Sequence, residues 1–303
     1  MADLALIKKL REETGCGIAD CNKALAACGD NYEEAVDWLR KKGLSSAAKK
    51  STRVTTEGLV AINNDSKTAC VVEVNSETDF VARNDKFQEL VLHIAEAGKQ
   101  VKDNDNFVEE VKGYSNIGEE ITNKIAVIGE NLQLRRGKTI TVDGNGVVVS
   151  YLHNVIAPNL GKIGVLVALK SDASEDSLQE LGKQIAMHIA ASKPEFLNRE
   201  SVPEERLTRE RDVLIEQAKS SGKPQNIIEK MIDGRIKKFY EEICLLEQVF
   251  VMDNDKKVLD VLKTFEKENG KSVEIQEYCL YVLGEGLEKK EDNFAEEVAS
   301  MQK

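Results

Sequence analysis

Aromatic side chains are scarce in this chain, 5% of 303 residues with one tryptophan, Trp38. None of its six cysteines (Cys16, Cys21, Cys28, Cys70, Cys244, Cys279) forms a C-x-x-C pair, and His93, His153 and His188 do not flank them at ligand spacings. That pattern excludes the common zinc modules, so no metal site is expected. No apolar run approaches the length that spans a bilayer, and Met1-Ala2-Asp3-Leu4 carries no cationic-then-apolar leader. The expectation is a cytoplasmic protein with reduced thiols. An excess of positive charge is lacking too. The net charge is -11, which argues against a general nucleic-acid binder, because such a protein needs a basic face to release phosphate counterions.

Catalytic signatures are also missing. There is no G-x-S-x-G, no H-E-x-x-H and no local cysteine-histidine signature. Gly15-Cys16-Gly17 lacks the G-K-[ST] of a phosphate loop, Gly144-Asn145-Gly146 suits a hairpin turn, and Gly284-Glu285-Gly286 has an acidic neighbour that opposes phosphate. No enzyme and no cofactor are expected.

What is present is a clear succession of patterns. Residues 1–53 read as three helices: Leu4, Ile7 and Leu10; then Ile18, Cys21, Ala24 and Leu25; then Ala35, Val36, Trp38 and Leu39 after Asn31 as cap. Lys41-Lys42-Gly43 closes this unit, and residues 45–51 read as a basic linker. Residues 54–140 switch to period two, with strands at 58–62 and 69–74 joined through Asn63-Asn64-Asp65-Ser66, a helix from about Asp85 to Gly98, another through Ile121 and Ile125, and a third strand at 132–136. Residues 141–284 repeat the plan, with strands at 147–152 and 163–169 and a helix at 178–191. Within them, at about 200–240, two charged helices with narrow apolar seams predict an inserted antiparallel coiled-coil hairpin, which leaves self-association open. A helix at 258–269 and a strand at 272–283 follow, and 285–303 form a C-terminal helical module ending in an acidic helix. The fold class is α+β.

Thr78-Asp79-Phe80-Val81-Ala82-Arg83-Asn84 sits at a strand-to-helix junction where a chain is usually plain and polar. One reading makes Thr78 or Asp79 a helix cap with Phe80 packed back as a staple. The other has a bulky ring presented outward on a rigid base.

This heptapeptide, together with Ile128-Gly129-Glu130-Asn131, Met187-His188-Ile189-Ala190-Ala191-Ser192-Lys193-Pro194-Glu195-Phe196-Leu197 and Gly234-Arg235-Ile236-Lys237-Lys238-Phe239, strongly resembles bacterial translation elongation factor Ts. So does Leu10-Arg11-Glu12-Glu13-Thr14-Gly15-Cys16-Gly17-Ile18 with Asp20-Cys21-Asn22-Lys23-Ala24-Leu25, and the likeness runs from residue 4 almost to residue 300. The order of several independent motifs makes it specific. The resemblance implies a guanine-nucleotide exchange factor that binds elongation factor Tu in its GDP-bound and nucleotide-free states and binds no nucleotide, nucleic acid or membrane itself. It implies a ubiquitin-associated-like fold for residues 1–53, docking through Gly15 and Ile18 on the partner's nucleotide-binding domain. It implies that Thr78, Asp79, Phe80 and Val81 intrude near the partner's magnesium, with Phe80 as wedge, and that Gly129 and His153 make further contacts. Two departures from the family pattern stand out: Asn154 to Leu160 lengthen the loop after His153, and Gln248-Val249-Phe250-Val251 lacks a proline before Phe250. The competing reading is a ubiquitin-associated-type scaffold for some other protein.

Overall fold

Helix α1 (Leu4–Thr14) starts where the Asp3 carboxylate accepts the Ala5 amide at 3.0 Å, and it stops at Gly15, whose φ of +67° suits a residue without a Cβ. Helix α2 (Ile18–Ala27) and helix α3 (Tyr32–Lys50, capped by Asn31) pack on it around Leu10, Cys21, Ala24, Leu25, Ala35 and Leu39. The computed structural model describes residues 3–219 and 225–288.

The basic linker expected at 45–51 is not there, because α3 continues through Lys50. Gly43 reads as a stop in sequence but is buried, and a Cβ at that position would lie 3.3 Å from the side chain of Ala126. It allows close helix packing rather than ending the helix. Ala47 rests on the main core, and the Lys50 ammonium donates to the Ile125 carbonyl at 3.4 Å. Tertiary packing thus extends a helix that local punctuation would end.

Strands β1 (Glu57–Asn64) and β2 (Thr68–Ser76) form the expected hairpin, its turn closed by the Asp65 carboxylate accepting the Lys67 and Thr68 amides. Helices α4 (Asp85–Lys99), α5 (Phe107–Gly113) and α6 (Ile117–Ile128) follow, then β3 (Leu132–Thr141), longer than the five residues expected. Next come β4 (Gly146–His153), β5 (Leu160–Gly161), β6 (Ile163–Ser171) and α7 (Glu175–Ser192). Helices α8 (Glu204–Lys219) and α9 (Gln225–Ile243) pack through a narrow seam of Leu214, Ile228, Ile232 and Ile236. The chain then runs through β7 (Val249–Phe250), β8 (Asp253–Lys257), α10 (Val258–Asn269) and β9 (Val273–Val282). The acidic helix expected at 292–302 lies outside the described residues.

Among the described residues all pairings between the named strands are antiparallel, with one isolated parallel bridge between Phe196 and Cys244, and the overall class is α+β. One sheet has the order β3-β2-β1-β5 and the second β4-β6-β9. In the first, β1 and β2 pair, α4 covers them and β3 joins β2; in the second, β4 and β6 pair, with β5 between them in sequence, α7 covers them and β9 joins β6. Each later strand also meets a register shift, at Glu73/Val74 and at Ala168/Leu169. The two sheets face each other: Val60, Ile62 and Val71 meet Val148, Leu166 and Ala168 in one cluster. The alternate residues Leu59, Ala61, Cys70, Val72 and Val74 face the helices, which is why these strands are apolar on both faces. Gly144-Asn145-Gly146, expected to turn a hairpin, instead carries the chain from β3 in one sheet to β4 in the other. Gly146 is required there, since φ is +149° and a Cβ would approach the Leu169 carbonyl oxygen to 2.1 Å.

Candidate functional site

Thr78 to Asn84 connect β2 to α4, and the capping role falls to Asn84, whose side-chain oxygen accepts the Lys86 amide at 3.0 Å. Thr78 and Asp79 therefore do not cap α4. A short 3-10 turn over Val81–Arg83 precedes it, with the Ala82 amide donating to the Asp79 carbonyl and the Arg83 amide to the Phe80 carbonyl, both at 3.2 Å. Phe80 is 81% exposed, so it is no staple either. Its immediate successors Val81 and Ala82 are buried in the core under the first sheet, and the Gln88 side chain donates to the Ala82 carbonyl at 2.9 Å. Asp79 is exposed beside the ring.

Upstream the turn is held by the corner that follows α6. Gly129 ends that helix with φ +91°, reversing the chain so that Glu130 meets Thr78. The Glu130 carboxylate accepts the Thr78 amide at 2.9 Å and the Thr78 hydroxyl at 2.7 Å. One residue along on each side the roles reverse: the Glu77 carboxylate accepts the Asn131 amide at 2.6 Å and pairs with Arg53 at 3.3 Å. Buried Asn131 also donates its side-chain amide to the Arg53 carbonyl at 3.0 Å. Gly129 had stood out in the sequence; Glu130 and Asn131 beside it had not been assigned roles. Their signals in the sequence are the family motif Ile128-Gly129-Glu130-Asn131 and a carboxylate and an amide placed directly after a helix-ending glycine.

Gly15 joins the same neighbourhood through α4, because the Lys86 ammonium points at its carbonyl at 3.5 Å. Ile18, one turn beyond, is 57% exposed, and Leu4 is 84% exposed. The three-helix unit thus sits against the core on the side of the Phe80 turn, fastened by Arg40 to Glu119 and by the α3–α6 packing. His153 belongs to a different place, the end of β4, where its Nδ1 lies 3.0 Å from the Tyr151 hydroxyl. The long loop behind it is ordered by pairing: the Ile156 amide donates to the Leu160 carbonyl, and β5 adds to β1 through Val60 and Gly161. Val155, 59% exposed, stands at the loop's outer side.

Among the described residues no cluster of histidine, cysteine, aspartate or glutamate is arranged to hold a metal, and no helix is long and apolar enough to cross a membrane. All six cysteines are free thiols, and burial pushes the Cys70 thiol up to about 12. His188, fully buried on α7, receives the Val251 amide at Nδ1 (3.3 Å) and lies 2.9 Å from Gln248 Oε1. Burial holds it below the usual histidine range, with the Gln248 hydrogen bond working against that shift.

Phe80 on its braced turn, with exposed Ile18 and Leu4 on the neighbouring three-helix unit, makes this side of the molecule the candidate site for protein binding. The sequence comparisons agree with a protein-binding class. The family model described as elongation factor TS matches residues 77–285, beginning at the brace itself. Elongation factor Ts of Rhodospirillum centenum is 49% identical over 98% of this chain and 97% of its own length. The proteins of the same name from Paramagnetospirillum magneticum and Magnetococcus marinus are each 50% identical over 98% of this chain, covering 96% and 97% of theirs. The chain belongs to the elongation factor Ts family, a family of translation elongation factors.

Proposed function

We propose that the chain is a guanine-nucleotide exchange factor for elongation factor Tu and that Phe80 is its wedge. The observation that carries this reading is a phenylalanine 81% exposed between a hydrogen-bonded residue, Thr78, and a buried one, Val81. A ring so held enters a partner without first having to be ordered, which lowers the entropic cost of binding.

In the partner, magnesium bridges protein and diphosphate and demands near-ideal octahedral geometry. A ring pressed between neighbouring helices need shift a ligand or a bound water only slightly to weaken the ion. Diphosphate charge is then less neutralised and GDP leaves sooner. Exposed Asp79 adds negative charge beside the ring and competes for the groups that organise the ion. Binding coupling is reciprocal, so nucleotide loosens the factor as much as the factor loosens nucleotide. GTP therefore displaces the factor and completes a turnover with no covalent step.

The division of labour along the chain follows the same reading. Residues 1–53 are a ubiquitin-associated-like docking domain whose Gly15 corner and Ile18 meet the nucleotide-binding domain. Residues 54–140 and 141–284 are two related core subdomains, the first presenting the wedge and Gly129, the second presenting His153. Helices α8 and α9 form the coiled-coil hairpin inserted at about 200–240, and 285–303 are a C-terminal module. The test is release of labelled GDP from elongation factor Tu with and without this chain. Release that catalytic amounts of the chain accelerate supports the proposal. Release at the spontaneous rate, with a different protein captured as principal partner, favours the scaffold reading.

A further inference from the structure

We propose that Glu130 is a positioning residue for exchange, holding Thr78 so that Phe80 is aimed at the partner; this rests on the wedge reading above. Both oxygens of its carboxylate are committed to one residue, Oε2 to the Thr78 amide at 2.9 Å and Oε1 to the Thr78 hydroxyl at 2.7 Å. A bidentate, charge-assisted grip of this kind fixes the backbone and the side-chain rotamer together. The grip belongs to a larger exchange of carboxylates between two corners far apart in sequence. Glu130 holds Thr78 while Glu77 holds the Asn131 amide at 2.6 Å, and Asn131 in turn donates to the Arg53 carbonyl. Gly129, with φ +91°, makes the reversal that brings Glu130 to the turn.

Downstream, Val81 and Ala82 are sunk in the core. Asp79 and Phe80 alone bridge the two anchors, and both are exposed. With the Glu130 grip removed, Thr78 keeps only the Ser76 hydroxyl on its carbonyl at 2.9 Å, and the turn that carries Phe80 is held chiefly from its Val81 side, by the Ala82 and Arg83 amides. The ring then visits many directions, and the partner has to select the productive one. The effect falls on the step in which the ring displaces the magnesium ligands, more than on docking through the three-helix unit.

The experiment compares Glu130→Ala, Glu130→Gln, Phe80→Ala and the Phe80→Ala/Glu130→Ala pair in the full chain. The readouts are the GDP release rate at saturating factor, the affinity for nucleotide-free elongation factor Tu, and the melting temperature. Glu130→Ala is expected to lower the saturating rate roughly tenfold, the cost of ordering one freed side chain, with a smaller change in affinity. Glu130→Gln restores most of the rate, because a carboxamide can accept the Thr78 amide and donate to its hydroxyl. On top of Phe80→Ala, Glu130→Ala adds no further slowing, since its action passes through the ring. Should Glu130→Ala melt early, Thr78→Val removes half of the same grip and is expected to slow release by a smaller factor. A full-rate Glu130→Ala beside a slow Phe80→Ala overturns this inference alone. So does a pair whose two losses multiply. A full-rate Phe80→Ala overturns the wedge and this inference with it.

Discussion

Phe80 and Phe87 lie seven positions apart and have opposite jobs. Phe87 is wholly buried under the first sheet, whereas Phe80 is 81% exposed. Truncating each separates the two roles. Phe87→Ala is expected to cost about 3–5 kcal/mol of stability by leaving a cavity. Phe80→Ala should change stability by no more than about 0.5 kcal/mol, as for a surface site, when both are followed by urea denaturation. A second residue-scale prediction concerns His188. Its folded-state pKa lies below the unfolded value of about 6.5, so the folded chain prefers the neutral ring. The stability that this neutral ring contributes is complete above pH about 6.5 and declines as pH falls toward the folded pKa. His188→Gln should flatten that part of the pH–stability curve, and an unaltered slope would contradict the assignment.

At the scale of elements, α3 shows what local reading can and cannot deliver. Asn31, Glu34 and the run from Ala35 to Leu39 made the helix and its start legible, and the same holds for the β1–β2 hairpin, with its Asp65 turn, and for the α7 helix. Gly43 read as a terminator because nothing local reveals that Ala126, on another helix, needs the space. Gly144-Asn145-Gly146 misled for a related reason: turn chemistry fixes the bend but not which sheet the next strand enters. At the candidate site, the family pattern points to Thr78 to Val81 and to Gly129, and the turn and the helix end they occupy follow from the sequence. The capping by Asn84 and the Glu130 grip were not legible, since the first had rivals in Thr78 and Asp79 and the second joins residues 52 apart. The continuity of α3 is testable. Ser45 is exposed, so in a linker Ser45→Pro would be neutral. In a helix interior it should cost about 3 kcal/mol and open residues 45–51 to proteolysis.

At the scale of the whole molecule, the segment after β9 is tied to the sheet from which the Phe80 turn emerges. The Glu73 carboxylate on β2 is fully buried. It accepts from Arg135 at 2.9 Å, from Arg136 at 2.6 Å and from the Gly284 amide at 2.9 Å. Arg136 reaches on to the Val282 carbonyl at 3.0 Å and lies over the Tyr281 ring. One buried charge therefore joins β2, β3 and the end of β9. Burial by itself would raise the Glu73 pKa, but the Gly284 amide and the two arginines outweigh it and hold it below the usual carboxylate range. Its stabilisation is therefore present above the unfolded value of about 4.3 and is lost as pH falls through the folded one. Glu73→Ala, which leaves both arginines facing each other, should cost about 3 kcal/mol at neutral pH. That loss should shrink in acid, as equilibrium denaturation at pH 7 and pH 3.5 would show.

On the proposed exchange mechanism, the joined sheets, the three-helix unit and the Glu130 corner all serve the presentation of one ring. The most direct measurement is the rate of labelled GDP release from elongation factor Tu at saturating concentrations of the unaltered chain and of Phe80→Ala. A loss of about 2 kcal/mol or more, roughly thirtyfold in rate, is expected, with the protein still folded and still bound to its partner. Equal rates for the two proteins would contradict the wedge.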